Sequence, residues 1–160
     1  MDLKQLMIGL LVVASSPMIA SSAMAQQQPM TAQTMDSQLD GLYGTHEIYH
    51  HFFDALKDSI IQRHKDQVAA VIRYPLIVQL NKKQVKIKNK QQFIKHYDQI
   101  ITPKIEQVVK EQQYVGMLST YRGMAFGNGE IWFAGLCPKK TCKDHSKTVV
   151  KIIGINNFMQ

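Results

Sequence analysis

Gly123-Met-Ala-Phe-Gly-Asn-Gly-Glu-Ile-Trp-Phe-Ala-Gly-Leu-Cys137 is the stretch that decides the fold. Two runs rich in β-branched and aromatic residues meet at Gly127-Asn128-Gly129, where glycine and asparagine supply the positive φ that a tight hairpin requires. The run Thr148 to Ile155 adds another strand, reached through a loop that carries Cys137 and Cys142. Tyr114 to Asn156 therefore reads as at least three consecutive antiparallel strands.

Upstream, the pattern is helical. At 100° per residue, Ile48, Tyr49, Phe52, Phe53, Leu56 and Ile60 fall on one side of a helix over 46–62. Thr45 is its expected N-cap, with Glu47 in the first turn. Asp66 opens a short helix, Gln67 to Ile72, which must stop near Tyr74 because Pro75 drives its predecessor to an extended conformation. Leu76 to Leu80 and Gln84 to Lys88 read as a hairpin around Asn81-Lys82-Lys83. Its Val85 and Ile87 turn inward, and Gln84, Lys86 and Lys88 face water. Asn89 caps a further helix that buries Phe93, Tyr97, Ile100 and Ile101. Thr102-Pro103 starts a fresh helix, a kinked continuation being the alternative.

The first 25 residues read as an export signal. Lys4 precedes the apolar run Leu6 to Val13, and Ala23-Met24-Ala25 supplies the small-x-small pattern of a cleavage site. The run is short of the ~20 apolar residues of a bilayer span, so no transmembrane segment is expected. Removing 25 of 160 residues leaves 135, enough for one domain with its own core. Residues 26–44, rich in Gln, Thr and Ser, lack an apolar periodicity and read as a flexible leader, with the single domain over 45–157. The expected location is periplasmic or secreted. There the two cysteines favour a Cys137–Cys142 disulfide over metal binding with His145. The net charge of +7 suits anionic surroundings in the cell envelope. Export without a binding motif argues against nucleic acid.

Helices followed by a run of antiparallel strands define an α+β class. The expected architecture is a curved antiparallel sheet covered by about three helices, cone-like. With this order of elements, and with Tyr74-Pro75-Leu76, the Asn89–Asp98 helix start and Gly127-x-Gly129-Glu130-Ile131-Trp132-Phe133, the chain resembles the nuclear-transport-factor-like, or cystatin-like, superfamily. It looks more closely like a group of small exported bacterial proteins of undefined function. The resemblance spans roughly residues 45–157 and implies a pocket between sheet and helices. Some members of the superfamily use that pocket for isomerase or dehydratase chemistry, and others only to bind a ligand or a protein.

The polar side chains that such a cavity would draw on are Tyr74, Tyr97, Asp98, Tyr121, Arg122 and Glu130. A carboxylate base with a tyrosine donor, Asp98 with Tyr97 or Tyr121, would serve an isomerase or dehydratase. Tyr97 and Asp98 diverge by about 100° on a helix, however, and packing for one with a surface ion pair for the other is the simpler reading. Arg122 and Glu130 flank the hairpin and are expected to face each other across it. Trp132 alternates with Ile131 and Phe133 and is either core or a partner anchor. His46, His50 and Asp54, spaced i, i+4, i+8 with His51 adjacent, could meet one metal ion, although the same wheel makes them a solvated face. Lys82, Lys83, Lys86, Lys88 and Lys90 give the first hairpin a basic rim, ordinarily edge protection.

The sequence carries no nucleophile elbow, phosphate-binding glycine loop or zinc-protease helix. The reading is a non-catalytic exported binding protein without a cofactor, an immunity or inhibitor protein acting on a protein or small-molecule ligand in the periplasm. The alternatives are a cavity isomerase, dehydratase or hydrolase, and metal binding through the surface histidines.

Overall fold

The computed structural model describes residues 30–138 and 147–158. The expected export signal, Cys142 and His145 lie outside the described residues, and with Cys142 lies the expected disulfide. No free thiol is found among the described residues, and no helix there is long and apolar enough to cross a membrane.

The chain is a single small α+β domain. Among the described residues six helices, α1 (Ala32–Tyr43), α2 (Glu47–Ile61), α3 (Lys65–Ala70), α4 (Lys90–Lys95), α5 (Tyr97–Ile100) and α6 (Pro103–Glu111), accompany six strands. The strands are β1 (Leu76–Leu80), β2 (Lys83–Ile87), β3 (Leu118–Thr120), β4 (Gly123–Phe126), β5 (Ile131–Leu136) and β6 (Val149–Ile155). They form two antiparallel sheets rather than one: the hairpin β1-β2, and a four-stranded sheet in the order β3-β4-β5-β6. Backbone bonds from Arg73 N–H to Ile152 C=O and from Ile152 N–H to Val71 C=O lay the 71–73 segment beside β6.

The apolar face of α2 packs on the four-stranded sheet. Phe53 stacks on Phe126 at 5.2 Å, and Phe52 lies 5.1 Å from Phe133, so α2 buries the alternate residues of β4 and β5 that the sequence directs inward. Gly135 continues that inner face, and a Cβ there would run into the Tyr49 hydroxyl. Burying a Phe or Leu of this core contributes roughly 1.5–3 kcal/mol each.

The expected caps at Asn89 and Thr102 form, but those at Thr45 and Asp66 do not: Asp66 lies in the first turn of α3, which opens after His64 and runs Lys65–Ala70 instead of Gln67 to Ile72. The Asn89 side chain accepts from Gln92 N–H at 3.0 Å, and Thr102 accepts from Ile105 N–H with Pro103 next in line. A fresh helix therefore follows Thr102, and the preceding segment breaks at His96 into α4 and α5. Thr45 is not a cap: α2 starts after His46, whose side chain caps nothing.

The leader is the main correction. Residues 32–43 form α1, opened by a reciprocal capping box between Thr31 and Thr34 and closed by Gly44 at φ 78°. Met35 and Leu39, one turn apart, are fully buried. The helix is tied down at its middle and its C-terminal end: Gln38 reaches the Ser119 hydroxyl, and Tyr43 donates to the Thr120 carbonyl at 2.7 Å. So α1 covers strand β3, at the edge of the sheet, whose polar backbone would otherwise invite another strand.

Candidate functional site

Glu130 is a turn residue held by its own hairpin. It is 4% exposed, and its carboxylate accepts from Asn128 N–H at 2.7 Å. Gly127 N–H donates to the side chain of Gln112, and Asn156 donates to the Gly129 carbonyl, which anchors the turn to the end of α6 and to the residue after β6. Arg122 is nowhere near it. The register sets Met124 opposite Phe133 and Phe126 opposite Ile131, so Arg122 and Glu130 lie beyond opposite ends of β4. The expected cross-strand ion pair does not form, because Tyr121 and Arg122 are a two-residue turn between paired Thr120 and Gly123, not strand.

At that turn Tyr121 is 79% exposed, more than any other large apolar side chain among the described residues. The Arg122 guanidinium sits 5.4 Å from its ring centroid and donates from Nε to its hydroxyl at 2.9 Å. The sheet that starts there has an outer face. Pairing aligns Leu118, Ala125, Trp132 and Gly154 in one row across all four strands, opposite in facing to Phe133. Trp132 is half-buried, its indole Nε1 only 2.9 Å from where a Cβ on Gly129 would sit. Leu118 and Val149, at the two margins of this sheet, are each more than one-third exposed.

Tyr97 is core. It is fully buried, edge-on to Phe93 at 5.7 Å, and its hydroxyl has no hydrogen-bond partner among the described residues. Burial, helped by the nearby Glu106 carboxylate, pushes that hydroxyl up to about 12. Asp98 turns the other way. It pairs with Arg63 and, at 2.8 Å, with Lys65, and the Lys65 hydrogen bond holds its carboxyl below the ordinary value. Arg63 also binds Glu106, and its guanidinium lies over the Tyr97 ring. The result is a charge-balanced clamp joining the α2–α3 turn to α5 and α6. Tyr74 donates to the Ala69 carbonyl at 3.0 Å, and burial raises its hydroxyl to about 12. Neither Tyr74 nor Tyr97 hydrogen-bonds a carboxylate among the described residues.

The histidines do not converge either. His46 Nδ1 meets Asp40 at 2.9 Å, and that hydrogen bond raises its pKa. His50 lies flat on Tyr114, ring centroids 3.6 Å apart, while Tyr114 donates to Asp36 at 2.7 Å. Asp54 approaches His50 at 3.8 Å. Among the described residues no three His, Cys, Asp or Glu side chains gather as a metal site needs. Their partners Asp36 and Asp40 sit on α1, so this strip fastens α1 to α2. Reading 26–44 as a leader hid those partners. The i, i+4 spacing of Met35 and Leu39 was the signal that would have found the helix.

Comparison with protein-family models, with curated proteins and with solved structures finds no match to this chain.

Proposed function

We propose that the chain is a non-catalytic binding protein that uses the outer face of the four-stranded sheet, with the Tyr121–Arg122 turn at its end, to hold a protein partner in the cell envelope. The observation that carries this reading is the contrast among its aromatic polar residues. Tyr74 and Tyr97 are spent on the fold, whereas Tyr121 stands in solvent with a guanidinium stacked on it, in the residue types that most often anchor interfaces. Leu118 and Trp132 supply apolar area beside it, and Arg122 supplies a donor for a carboxylate on an acidic partner. An immunity or inhibitor protein of the periplasm is the class that fits size, charge and the expected export. The likeness to nuclear-transport-factor-like binding members is consistent with it.

The test is affinity capture from a periplasmic extract with the exported chain, in parallel with Tyr121→Ala and Trp132→Ala, each checked for native circular dichroism. A stoichiometric partner that both variants lose supports the reading. Undiminished capture by Tyr121→Ala, or an empty bait, refutes it.

A further inference from the structure

Between Asp66 and Asp98 the chain carries seven lysines and arginines and no acidic residue at all. Three of the seven are quenched or lie away from the hairpin: Arg73 precedes β1, Lys90 pairs with Asp66 at 3.3 Å, and Lys95 belongs to α4. Lys82, Lys83, Lys86 and Lys88 belong to the β1-β2 hairpin and its flank, and none of them makes an ion pair among the described residues. Edge protection accounts for lysines on an outlying strand. It does not account for what lies among them. Ile77, directly opposite Lys86, is 51% exposed, and Phe158 is 54% exposed. Together with Gln79 and Gln84 they line a shallow cleft of about 130 Å³ on the hairpin's wet face.

From this juxtaposition we propose that the wet face of the β1-β2 hairpin, with Phe158, docks the protein on an anionic lipid bilayer. Lys86 and Lys88 on that face, with Lys82 in the turn, read a diffuse negative surface on long stems, while Ile77 and Phe158 enter the boundary between headgroups and acyl chains. A protein ligand fits less well. Carboxylates on a partner are recognised bidentately by arginine, and the hairpin, residues 76–88, has none. Two apolar side chains also fall far short of the apolar centre of a standard protein interface. Neither the basic nor the apolar signal anchors stably alone, and here they coincide. The patch shares no residue with the Tyr121–Trp132 face, so this docking stands or falls independently of the partner proposed there.

Sedimentation of the full chain with vesicles rich in phosphatidylglycerol, and with pure phosphatidylcholine vesicles, tests the proposal. Binding to the first and not the second is expected, weakening steeply as salt is raised. Lys86→Gln and Lys88→Gln should each cost about fivefold in partitioning, the ordinary contribution of one basic side chain near an anionic leaflet. Phe158→Ser should weaken binding at low salt as well, and Lys110→Gln on α6 should leave it unchanged. Equal partitioning to both vesicles, no binding, or equal losses for Lys86→Gln and Lys110→Gln would overturn the proposal. Tighter capture by soluble polyglutamate than by the vesicles would overturn it too, marking a patch directed at acidic protein.

Discussion

The molecule contains two hairpins with the same local grammar and opposite fates. β4-β5 and β1-β2 each join short apolar-rich strands through residues at positive φ, Gly127 and Gly129 in one, Asn81 and Lys82 in the other. The first is absorbed into the centre of the sheet. Every residue of β4 is buried, α2 covers the inner face, and Glu130 locks the turn from inside. The second is an outrigger. It buries Leu76, Val78 and Ile87 on one face and gives the other to lysines and to Ile77. A hairpin signal thus specifies pairing, and the neighbours that arrive later decide whether the hairpin becomes scaffold or surface.

The largest test of that difference is Phe133→Ala beside Ile77→Ala. Phe133 is fully buried between Phe52 and Phe126, so its truncation should cost about 3–5 kcal/mol of unfolding free energy. Ile77→Ala, half-exposed, should stay within about 0.5 kcal/mol. Chemical denaturation measures both, and comparable losses would abolish the distinction.

Glu130→Ala should be next, at about 1–3 kcal/mol, because it strips a buried partner from Asn128 N–H and leaves the turn with a hole. At the corresponding place in the outrigger, Asn81→Gly should be close to neutral, since glycine accepts the same φ of 50°. Thermal melts of the pair would show whether the first turn is held by its carboxylate.

Alkali probes the ground under each hairpin. Tyr74 and Tyr97 lie beside β1, Tyr43 beside β3, and all three hydroxyls are raised to about 12 by burial. Their protonated forms are favoured in the folded chain, so their contribution is intact below pH 10, the ordinary tyrosine value, and is lost as pH climbs from there through 12. Denaturation midpoints should fall over that window. Tyr97→Phe should flatten the fall, and because it removes a buried hydroxyl without a partner it should hold or slightly raise stability at neutral pH. A loss of stability at neutral pH in Tyr97→Phe would mean that the hydroxyl serves the fold after all.

Much of the fold was legible because local chemistry and tertiary outcome agree. Gly127-Asn128-Gly129, the caps at Asn89 and Thr102 and the stripe of α2 each act within one turn or one strand pair, and each formed where the sequence puts it. The site was far less legible. His46 and His50 share a helical face, but each is claimed by an aspartate on α1 or by Tyr114, partners that no spacing rule supplies. Arg122 read as an arm of the hairpin because nothing in that run says that Thr120 and Gly123 pair directly. The Arg63 clamp on Asp98 and Glu106 spans about 40 residues of chain and has no signature in sequence.

By itself, then, the sequence determined the α+β class, the order of helices and hairpins and which face of α2 is apolar, because periodicity and turn chemistry are properties of neighbouring residues. Only the tertiary structure decided that polar residues 32–43 are a helix, that the strands divide into two sheets, and that Tyr97 is sealed while Tyr121 is bare. Burial and partnership depend on what packs from elsewhere in the chain, and two buried side chains, Met35 and Leu39, are enough to dock a helix whose composition otherwise resembles a linker.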